Sequence, residues 1–234
     1  VRAMVGSRDH ADARGGMINI LTTPRNPGSA LKPFTYAEAL ELGDSPSSLA
    51  ADVTDGESNH NADGREHGPV RYAVALPSSY NLAALDVARR VGPDRLLRRL
   101  RQAGLHTLDR VAEAYGAELT LGSGKVKLVD LAAAYRFLVH GGEVIAAHGI
   151  AAVQPAGEPL AARPAPLRTQ LFSAQTSFLV MDMLADNLAR RAAFGDDLPV
   201  DLPGDNAAPV RVVVKTGTSG GFADNVAVLA TREY

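Results

Sequence analysis

The chain has 234 residues, 46% of them hydrophobic and 21% charged, a composition typical of an ordinary globular protein. The net charge of −2 provides no electrostatic attraction for a nucleic acid or an anionic membrane surface. The sequence contains no cysteine, which excludes disulfides, thiolate catalysis and cysteine-ligated zinc. It also contains no run of about 18 apolar residues, so it offers no candidate membrane-spanning helix.

Two short strands are predicted at the start of the chain. Residues 1–7 and 17–23 have the mixture of apolar and β-branched residues that strands favour, and the polar residues between them include a Gly-Gly pair. We therefore expect two strands joined by a surface connection.

A helix is predicted after the stretch PRNPGSALKPF. Apolar residues follow Ser29 at helical spacing, and Gly43 can end the helix. Pro33 lacks an N–H, and its ring would crowd the carbonyl of Ser29, so we expect the first turn to be irregular. Residues 44–69 are rich in Asp, Ser, Asn and Gly and are predicted to form a long surface loop.

Further helices are predicted in the middle of the chain. Residues 82–92 end at a glycine, and 93–104 begin with a proline, which is favoured at the first helical position. Residues 128–142 form a third periodic segment, and residues 169–194 form one long helix or two in succession. Between these, residues 155–166 are a connection rich in proline and alanine.

Two β-rich segments follow. Residues 208–218 and 222–234 are separated by a Ser-Gly-Gly turn, which predicts a hairpin. Strands at both ends with helices between them indicate an α+β fold, in which the terminal segments form a sheet covered by a helical block.

Three short motifs occur in one order along the chain. Ser29 and Lys32, at i and i+3 of a helix, would lie on one face, where a hydroxyl beside an amine suits acyl transfer. Ser79 and Asn81 open the next helix, and Lys215–Thr218 end a strand. Taken singly, each motif has a structural explanation. The first would be a solvated helix face, the second a helix N-cap pair and the third a common strand end. Taken together, they form the S-x-x-K, S-x-N and K-T-G set of penicillin-binding proteins and related β-lactamases.

The surrounding sequence resembles the same group of enzymes. The stretches AMVGSRDH, PRNPGSALKPF, GPVRYAVALPSSYNLAAL and KTGTSGGFADNVAVLA are similar to the transpeptidase domain of class A, bifunctional penicillin-binding proteins. The stretch LTLGSGKVKLVDLAAAYR is similar to the 1C subgroup of that family. The resemblance covers nearly the whole chain, and residues 44–69 are the part that it fits least.

The resemblance implies the serine β-lactamase/penicillin-binding-protein transpeptidase fold, an antiparallel sheet with a helical subdomain. Residues 1–234 would be one partial transpeptidase domain that begins at the second strand of this fold and stops at the fourth. It would therefore be truncated at both ends, without the family's glycosyltransferase domain and membrane anchor. The implied location is the extracytoplasmic face of the bacterial cell membrane.

The resemblance also implies the roles of eight site residues. Ser29 would be the nucleophile that attacks a D-Ala-D-Ala stem peptide, Lys32 the base and Ser79 the proton relay. The substrate-binding residues would be Asn81, Lys215, Thr216, Gly217 and Thr218. Asn81 would hold the substrate amide, and the strand residues would bind the terminal carboxylate. An amine of a second stem peptide would accept the acyl group, and a β-lactam would acylate Ser29 instead. The family uses no cofactor or metal, and none is expected here.

Two other functions stay open from the sequence. A serine β-lactamase or D,D-carboxypeptidase would transfer the acyl group to water, although no glutamate stands out for deacylation. A non-catalytic β-lactam sensor would acylate and stop, although such a module need not keep Lys32 and Ser79.

Some features have structural explanations that we prefer. The six histidines lack metal-ligand spacing and are predicted to be surface or packing residues. The basic stretch RLLRRLRQ is predicted to be a solvated helix face with three buried leucines rather than a lipid or wall contact. Among the tyrosines, Tyr80 is the candidate for the wall of a cleft.

Overall fold

The computed structural model describes residues 1–54, 56, 59–150, 166–195 and 212–231. The predicted connection at 155–166 lies almost entirely outside the described residues, as do residues 208–211 and 232–234 of the two predicted terminal strands.

Helices fill the middle of the chain, and the described strands form three antiparallel pairs, β1 with β2, β3 with β4, and β5 with β6. The helices are α1 (Lys32–Glu41), α2 (Tyr72–Ala75), α3 (Asn81–Val91), α4 (Pro93–Gln102), α5 (Leu128–Ala134), α6 (Arg136–Val139), α7 (Ala174–Leu184) and α8 (Asn187–Phe194). The strands are β1 (Leu49–Asp52), β2 (Gly68–Arg71), β3 (Glu143–Ile145), β4 (Arg168–Gln170), β5 (Val213–Thr218) and β6 (Asn225–Ala230).

The predicted helices around the first two motifs are confirmed. A tight turn at Gly28–Leu31 leads into α1, so the predicted irregular first turn is present. Pro33 lies in the N-terminal turn of α1, where backbone N–H groups have no acceptor within the helix, so the missing N–H of proline costs no hydrogen bond. Helices α3 and α4 meet at Gly92, and Pro93 is the first residue of α4. The predicted C-terminal hairpin is also confirmed, with Thr218 opposite Asn225 beside the turn.

The predicted strands at 1–7 and 17–23 are wrong. Residues 8–23 form a series of turns, and no ladder is present within the first 23 residues. One backbone hydrogen bond, from Ile20 to Gly6 (2.9 Å), joins the two segments. The Asn19 carbonyl accepts the Thr23 N–H at 3.0 Å and curls the second segment into a turn. A strand needs a partner along its whole length, and these segments find none among the described residues.

The prediction of a long surface loop at 44–69 is wrong at both of its ends. Strand β1 lies within this region and pairs with β2, which begins at Gly68, and Ala50 faces Val70 on the buried side. Each strand has only four residues, so the alternation of buried and exposed positions is too short to stand out in the sequence. This small hairpin brings Asp52 against the start of α3.

The predicted helix at 128–142 is shorter and is broken. It divides at Tyr135 into α5 and α6, and β3 follows a Gly141–Gly142 turn in which both glycines have positive φ. Tyr135 is held at the break because its hydroxyl donates to the Ala30 carbonyl at 2.6 Å. The region at 169–194 contains two helices, as one of the two alternatives predicted, and Asp186 caps the second by accepting the Ala189 N–H at 3.0 Å. The start of the first helix was predicted wrongly, because residues 169 and 170 lie in β4 and α7 begins at Ala174.

Helix α1 is the centre of the core. All nine residues from Lys32 to Leu40 are buried, which is unusual for a helix of mixed polarity. Two of its polar side chains are paired, because Thr35 shares a 2.7 Å hydrogen bond with Thr120 and Glu38 lies 2.6 Å from the guanidinium of Arg99. The buried Tyr36 hydroxyl has no partner among the described residues. Lys32 of the first motif therefore belongs to a helix that is packed on all sides.

The basic helix α4 packs as predicted, with Leu96, Leu97 and Leu100 buried. Arg95 and Arg99 of α4 both form ion pairs with the buried carboxylate of Glu38, so part of the positive charge of α4 is neutralised within the protein. Across the described ranges, no helix is both long enough and apolar enough to cross a membrane.

Candidate active site

The three predicted motifs meet at one cleft. It is a small cleft of about 170 Å³ between the turn before α1, the start of α3 and strand β5. Its walls are formed by Ser29, Ala62, Asp63, Ser78, Ser79, Tyr80, Asn81, Ala193, Phe194, Thr216 and Thr218. Five of the eight sequence-predicted site residues therefore line it, together with Tyr80, although they are far apart in the chain. Lys32 and Lys215 are buried behind this surface. Phe194 at the end of α8 is a contributor that the sequence did not indicate.

Glycines allow the first and third motifs to touch. Gly28 has φ +54, and a Cβ there would lie 2.5 Å from the Thr218 carbonyl oxygen. A Cβ on Gly217 would lie 2.1 Å from the Pro27 carbonyl oxygen. Both distances are far below van der Waals contact, so only glycine allows the backbone of β5 to approach the turn that carries Ser29. The Pro-Gly-Ser and Lys-Thr-Gly stretches thus fit each other.

The Lys32 ammonium is buried and surrounded by oxygen atoms of the second motif. Its Nζ donates to the Ser79 carbonyl (2.6 Å), the Tyr80 carbonyl (3.1 Å) and Asn81 Oδ1 (2.7 Å). The Ser79 hydroxyl oxygen lies farther away, at 3.4 Å. The lysine of α1 is therefore attached to the start of α3.

The Ser79 hydroxyl lies between two lysines. Its Oγ is 2.7 Å from Lys215 Nζ and 3.4 Å from Lys32 Nζ. Ser79 has φ 59, a left-handed conformation that costs a non-glycine residue roughly 1 kcal/mol or more. Such strain persists where the surroundings impose it, and here it accompanies a hydroxyl that touches two amines.

Both lysines have a lowered pKa. Burial lowers the pKa of Lys32 well below its usual value, the Lys215 charge lowers it further, and the Asp52 carboxylate acts in the opposite direction. Burial and then the Arg190 charge lower the pKa of Lys215 to about 7. The Arg190 guanidinium is itself buried and donates to the Val214 carbonyl at 3.1 Å. An amine with a lowered pKa can act as a base near neutral pH.

These pKa shifts predict a bell-shaped pH dependence for acylation by a carboxylate-bearing β-lactam. The rate should rise as Lys32 loses its proton, since only the neutral amine accepts one. It should fall as pH passes about 7, because Lys215 then loses the charge that would attract the carboxylate. A stopped-flow pH series with the free acid and its neutral methyl ester provides the check, and an alkaline limb identical for both would contradict it.

Two site residues are placed differently from what their implied roles suggest. Ser29 is half-buried at the cleft, and the described residues show no hydrogen bond from its hydroxyl to Lys32 or Lys215. Asn81, expected to hold a substrate amide, instead directs Oδ1 to Lys32 and donates through Nδ2 to the His60 carbonyl at 2.7 Å. Hydrogen bonds of catalytic groups often tighten only when substrate is bound.

The sequence missed the residues that support the second motif. Helix α3 has no side-chain cap of its own, so the N-cap alternative for Ser79 and Asn81 is wrong. The caps come from Asp52 and Asn61, which the sequence placed in a surface loop. The only sequence signal would have been the frequency of Asp and Asn in that loop, which surface loops share. No group of three or more metal-binding side chains occurs within the part of the chain described.

Comparison with known sequences identifies similar proteins. The family model for the penicillin binding protein transpeptidase domain matches residues 1–230. Penicillin-binding protein 1C of Escherichia coli strain K12 is 34% identical over 241 residues, covering 100% of this chain and 28% of the relative. Penicillin-binding protein 1A of Neisseria meningitidis serogroup A is 28% identical over 178 residues, covering 71% of this chain and 22% of the relative. The chain thus spans less than a third of the length of these relatives.

Comparison with solved structures identifies the same fold. Penicillin-binding protein 1A from Haemophilus influenzae has a TM-score of 0.71 at 22% identity, covering 92% of this chain and 37% of that one. Penicillin-binding protein A from Mycobacterium tuberculosis, as a ceftriaxone acyl-enzyme complex, has a TM-score of 0.74 at 17% identity, covering 95% and 55%. The α+β architecture is therefore that of these penicillin-binding proteins.

Proposed function

We propose, on the premise that the chain belongs to the penicillin-binding protein transpeptidase family, that it is a peptidoglycan D,D-transpeptidase acting through a serine acyl-enzyme. The observation that carries the proposal is the Ser79 hydroxyl, held 2.7 Å from one buried amine and 3.4 Å from another in a cleft that Ser29 also lines. Hydroxyls and amines of lowered pKa in one cleft suit acyl transfer without a metal.

In the proposed first step, Ser29 Oγ attacks the carbonyl carbon between the two D-alanines. Its proton passes to neutral Lys32, and the backbone N–H groups of Ser29 and Thr218 bind the oxyanion. The C–N bond then breaks, and a proton reaches the departing D-alanine amine through Ser79. The product is an ester between Ser29 and the shortened stem peptide.

In the second step, an amine of a neighbouring stem peptide attacks the ester. The amine loses a proton to the Lys32–Ser79 pair, the ester bond breaks, and Ser29 recovers its proton. The new bond is an amide that cross-links the two peptides. A β-lactam would open on Ser29 in the same way, but its amine stays tethered and does not leave.

Binding of the donor would use the third motif. Lys215 and the hydroxyls of Thr216 and Thr218 would hold the terminal carboxylate, and Gly217 would let β5 lie close to it. Thr216 and Thr218 line the cleft, and Lys215 is 2% exposed. These roles, like that of Asn81 towards the substrate amide, are part of the proposal.

The same proposal extends to the setting of the domain. Residues 1–234 would be a transpeptidase domain that acts on peptidoglycan at the extracytoplasmic face of the bacterial cell membrane. Its parent protein would also carry the glycosyltransferase domain of bifunctional members. Stem peptides and β-lactams would be its partners.

The test follows the fate of the acyl group in the whole natural polypeptide. Labelled penicillin should form a stable adduct on the peptide that contains Ser29, identified by mass spectrometry. A pentapeptide donor with an acceptor amine should then yield D-alanine and a cross-linked product in equal amounts.

Two other products would change the assignment. Release of hydrolysed penicillin within seconds would indicate a β-lactamase, and a shortened donor without cross-links would indicate a carboxypeptidase. A stable adduct with no D-alanine release from any donor would indicate a β-lactam sensor.

A further inference from the structure

Helix α3, which carries the second motif, begins without a cap from its own sequence. The first N–H groups of a helix need acceptors, and these normally come from the residue just before it. Here that residue is Tyr80, which has no capping side chain. The side chains of Ser79 and Asn81 are instead turned towards Lys32 and Lys215.

The missing cap is supplied by two residues far back in the chain. Asn61 Oδ1 accepts the N–H of Asn81 at 2.6 Å and of Leu82 at 3.3 Å. Asp52 Oδ1 accepts the N–H of Ala83 at 2.9 Å. We name Asp52 and Asn61 the cap pair. Together they satisfy three successive donors at the start of α3, where the helix dipole also favours the Asp52 charge.

The cap pair is built as a rigid unit. Asn61 Nδ2 donates to Asp52 Oδ2 and to the Arg65 carbonyl, both at 2.7 Å. Asp52 Oδ2 also accepts the His67 N–H at 3.0 Å and lies 2.6 Å from His67 Nδ1. The Asp52 side chain is fully buried, and that of Asn61 is nearly so. Buried polar groups with every partner in place lock one arrangement.

A second contact joins this unit to the motif. The His67 ring stacks on the Tyr80 ring with centroids 3.9 Å apart and planes at 10°. Tyr80 lies between Ser79 and Asn81, and its carbonyl accepts from Lys32. Asp52 and Asn61 therefore hold the backbone at the start of α3, and His67 holds the Tyr80 ring.

We propose that Asp52 and Asn61 are positioning residues for acylation: by capping α3 from outside, they free Ser79 and Asn81 to face the two lysines and hold Ser79 in its left-handed conformation. This inference rests on the proposed function, because it concerns the same cleft. The cap pair does not touch the reacting atoms. It acts through the backbone of residues 79–83.

The first experiment measures the rate of acylation by labelled penicillin in the whole natural polypeptide. Asn61→Ala removes the acceptor for the N–H groups of Asn81 and Leu82. Asp52→Asn keeps the shape of the side chain but replaces one carboxylate oxygen with an NH2 group, which cannot accept the hydrogen bonds that His67 and Asn61 donate. Each should slow acylation by roughly 10- to 100-fold, the loss typical of a small displacement of catalytic groups. Asp86→Asn is the matched control, because Asp86 accepts the Ala51 N–H and so also ties β1 to α3, away from the helix start. It should stay within about twofold of wild type.

Two further readouts separate positioning from general loosening. Asp52→Asn should shift the acidic limb of the acylation profile to lower pH, because the Asp52 charge raises the pKa of Lys32. Asn61→Ala should speed hydrogen exchange at the amides of Asn81 and Leu82 at least about tenfold, while the middle of α3 keeps its protection. If Asn61→Ala does not fold, the isosteric Asp52→Asn still provides rate and pH readouts.

The outcomes distinguish this inference from the function on which it rests. Folded variants that acylate at the wild-type rate overturn the inference and leave the function intact. A wild-type protein that is never labelled overturns the proposed function. Hydrogen exchange in Asn61→Ala then still shows whether the cap pair stabilises the start of α3. Unchanged exchange at Asn81 and Leu82 in Asn61→Ala overturns the role of the cap pair in either case.

Discussion

Replacing Ser29 with alanine is expected to abolish covalent labelling by penicillin. Alanine removes the hydroxyl that would form the ester, and Ser29 directly follows Gly28, whose turn lies against the backbone of Thr218. Ser29 is half-buried, and its hydroxyl forms no hydrogen bond with the residues that the structure describes. The free energy of unfolding should therefore change by less than about 0.5 kcal/mol. Gel fluorescence and intact mass measure the adduct, and a thermal melt measures the stability.

The matched control for this variant is Ser78→Ala. Ser78 lines the same cleft, but its hydroxyl donates to the Ala189 carbonyl at 2.9 Å and points to α8. Labelling of Ser78→Ala should persist. Stoichiometric labelling of Ser29→Ala would refute the assignment of the nucleophile, and loss of labelling in both variants would indicate that the cleft tolerates no change.

Replacing Lys32 with methionine is expected to slow acylation by about 10²- to 10⁴-fold. Methionine has a similar length but no proton acceptor, so the variant removes the proposed base, which is a contribution of that size in general acid–base catalysis. It also removes the donor that three oxygens of residues 79–81 share, so the segment loses its link to α1. Stopped-flow acylation at saturating β-lactam measures the rate constant.

Lys125→Met is the control for this second change, because Lys125 is exposed and lies outside the cleft. Its acylation rate should equal that of wild type. A Lys32→Met protein that acylates within about threefold of wild type, with an unchanged pH profile, would exclude Lys32 as the base. The proton would then have to pass through Ser79 and Lys215.

Much of the candidate site was predictable because each of its motifs is local. The helix that carries Lys32 could be predicted from its periodicity, and the strand of Lys215–Thr218 from its apolar run and the glycine turn after it. The candidate roles came from the three motifs in one order and from the family resemblance, because each motif alone has a structural explanation. The family model over residues 1–230 confirms the membership that these motifs indicated. Boundaries such as Gly92 between α3 and α4 were equally readable, because glycine and proline act on their own neighbours.

The sequence by itself therefore determined the family, helices α1, α3 and α4, the C-terminal hairpin and the candidate residues. The three-dimensional arrangement decided which of the polar residues support them. In the sequence, Asp52 and Asn61 resemble loop residues, because the N–H groups of α3 that they accept lie 20 or more positions away in the chain. Residues 17–23 look like a strand because alternation is local, whereas a ladder partner is not. Local patterns record what a segment prefers, and contacts between distant segments decide which preference is realised.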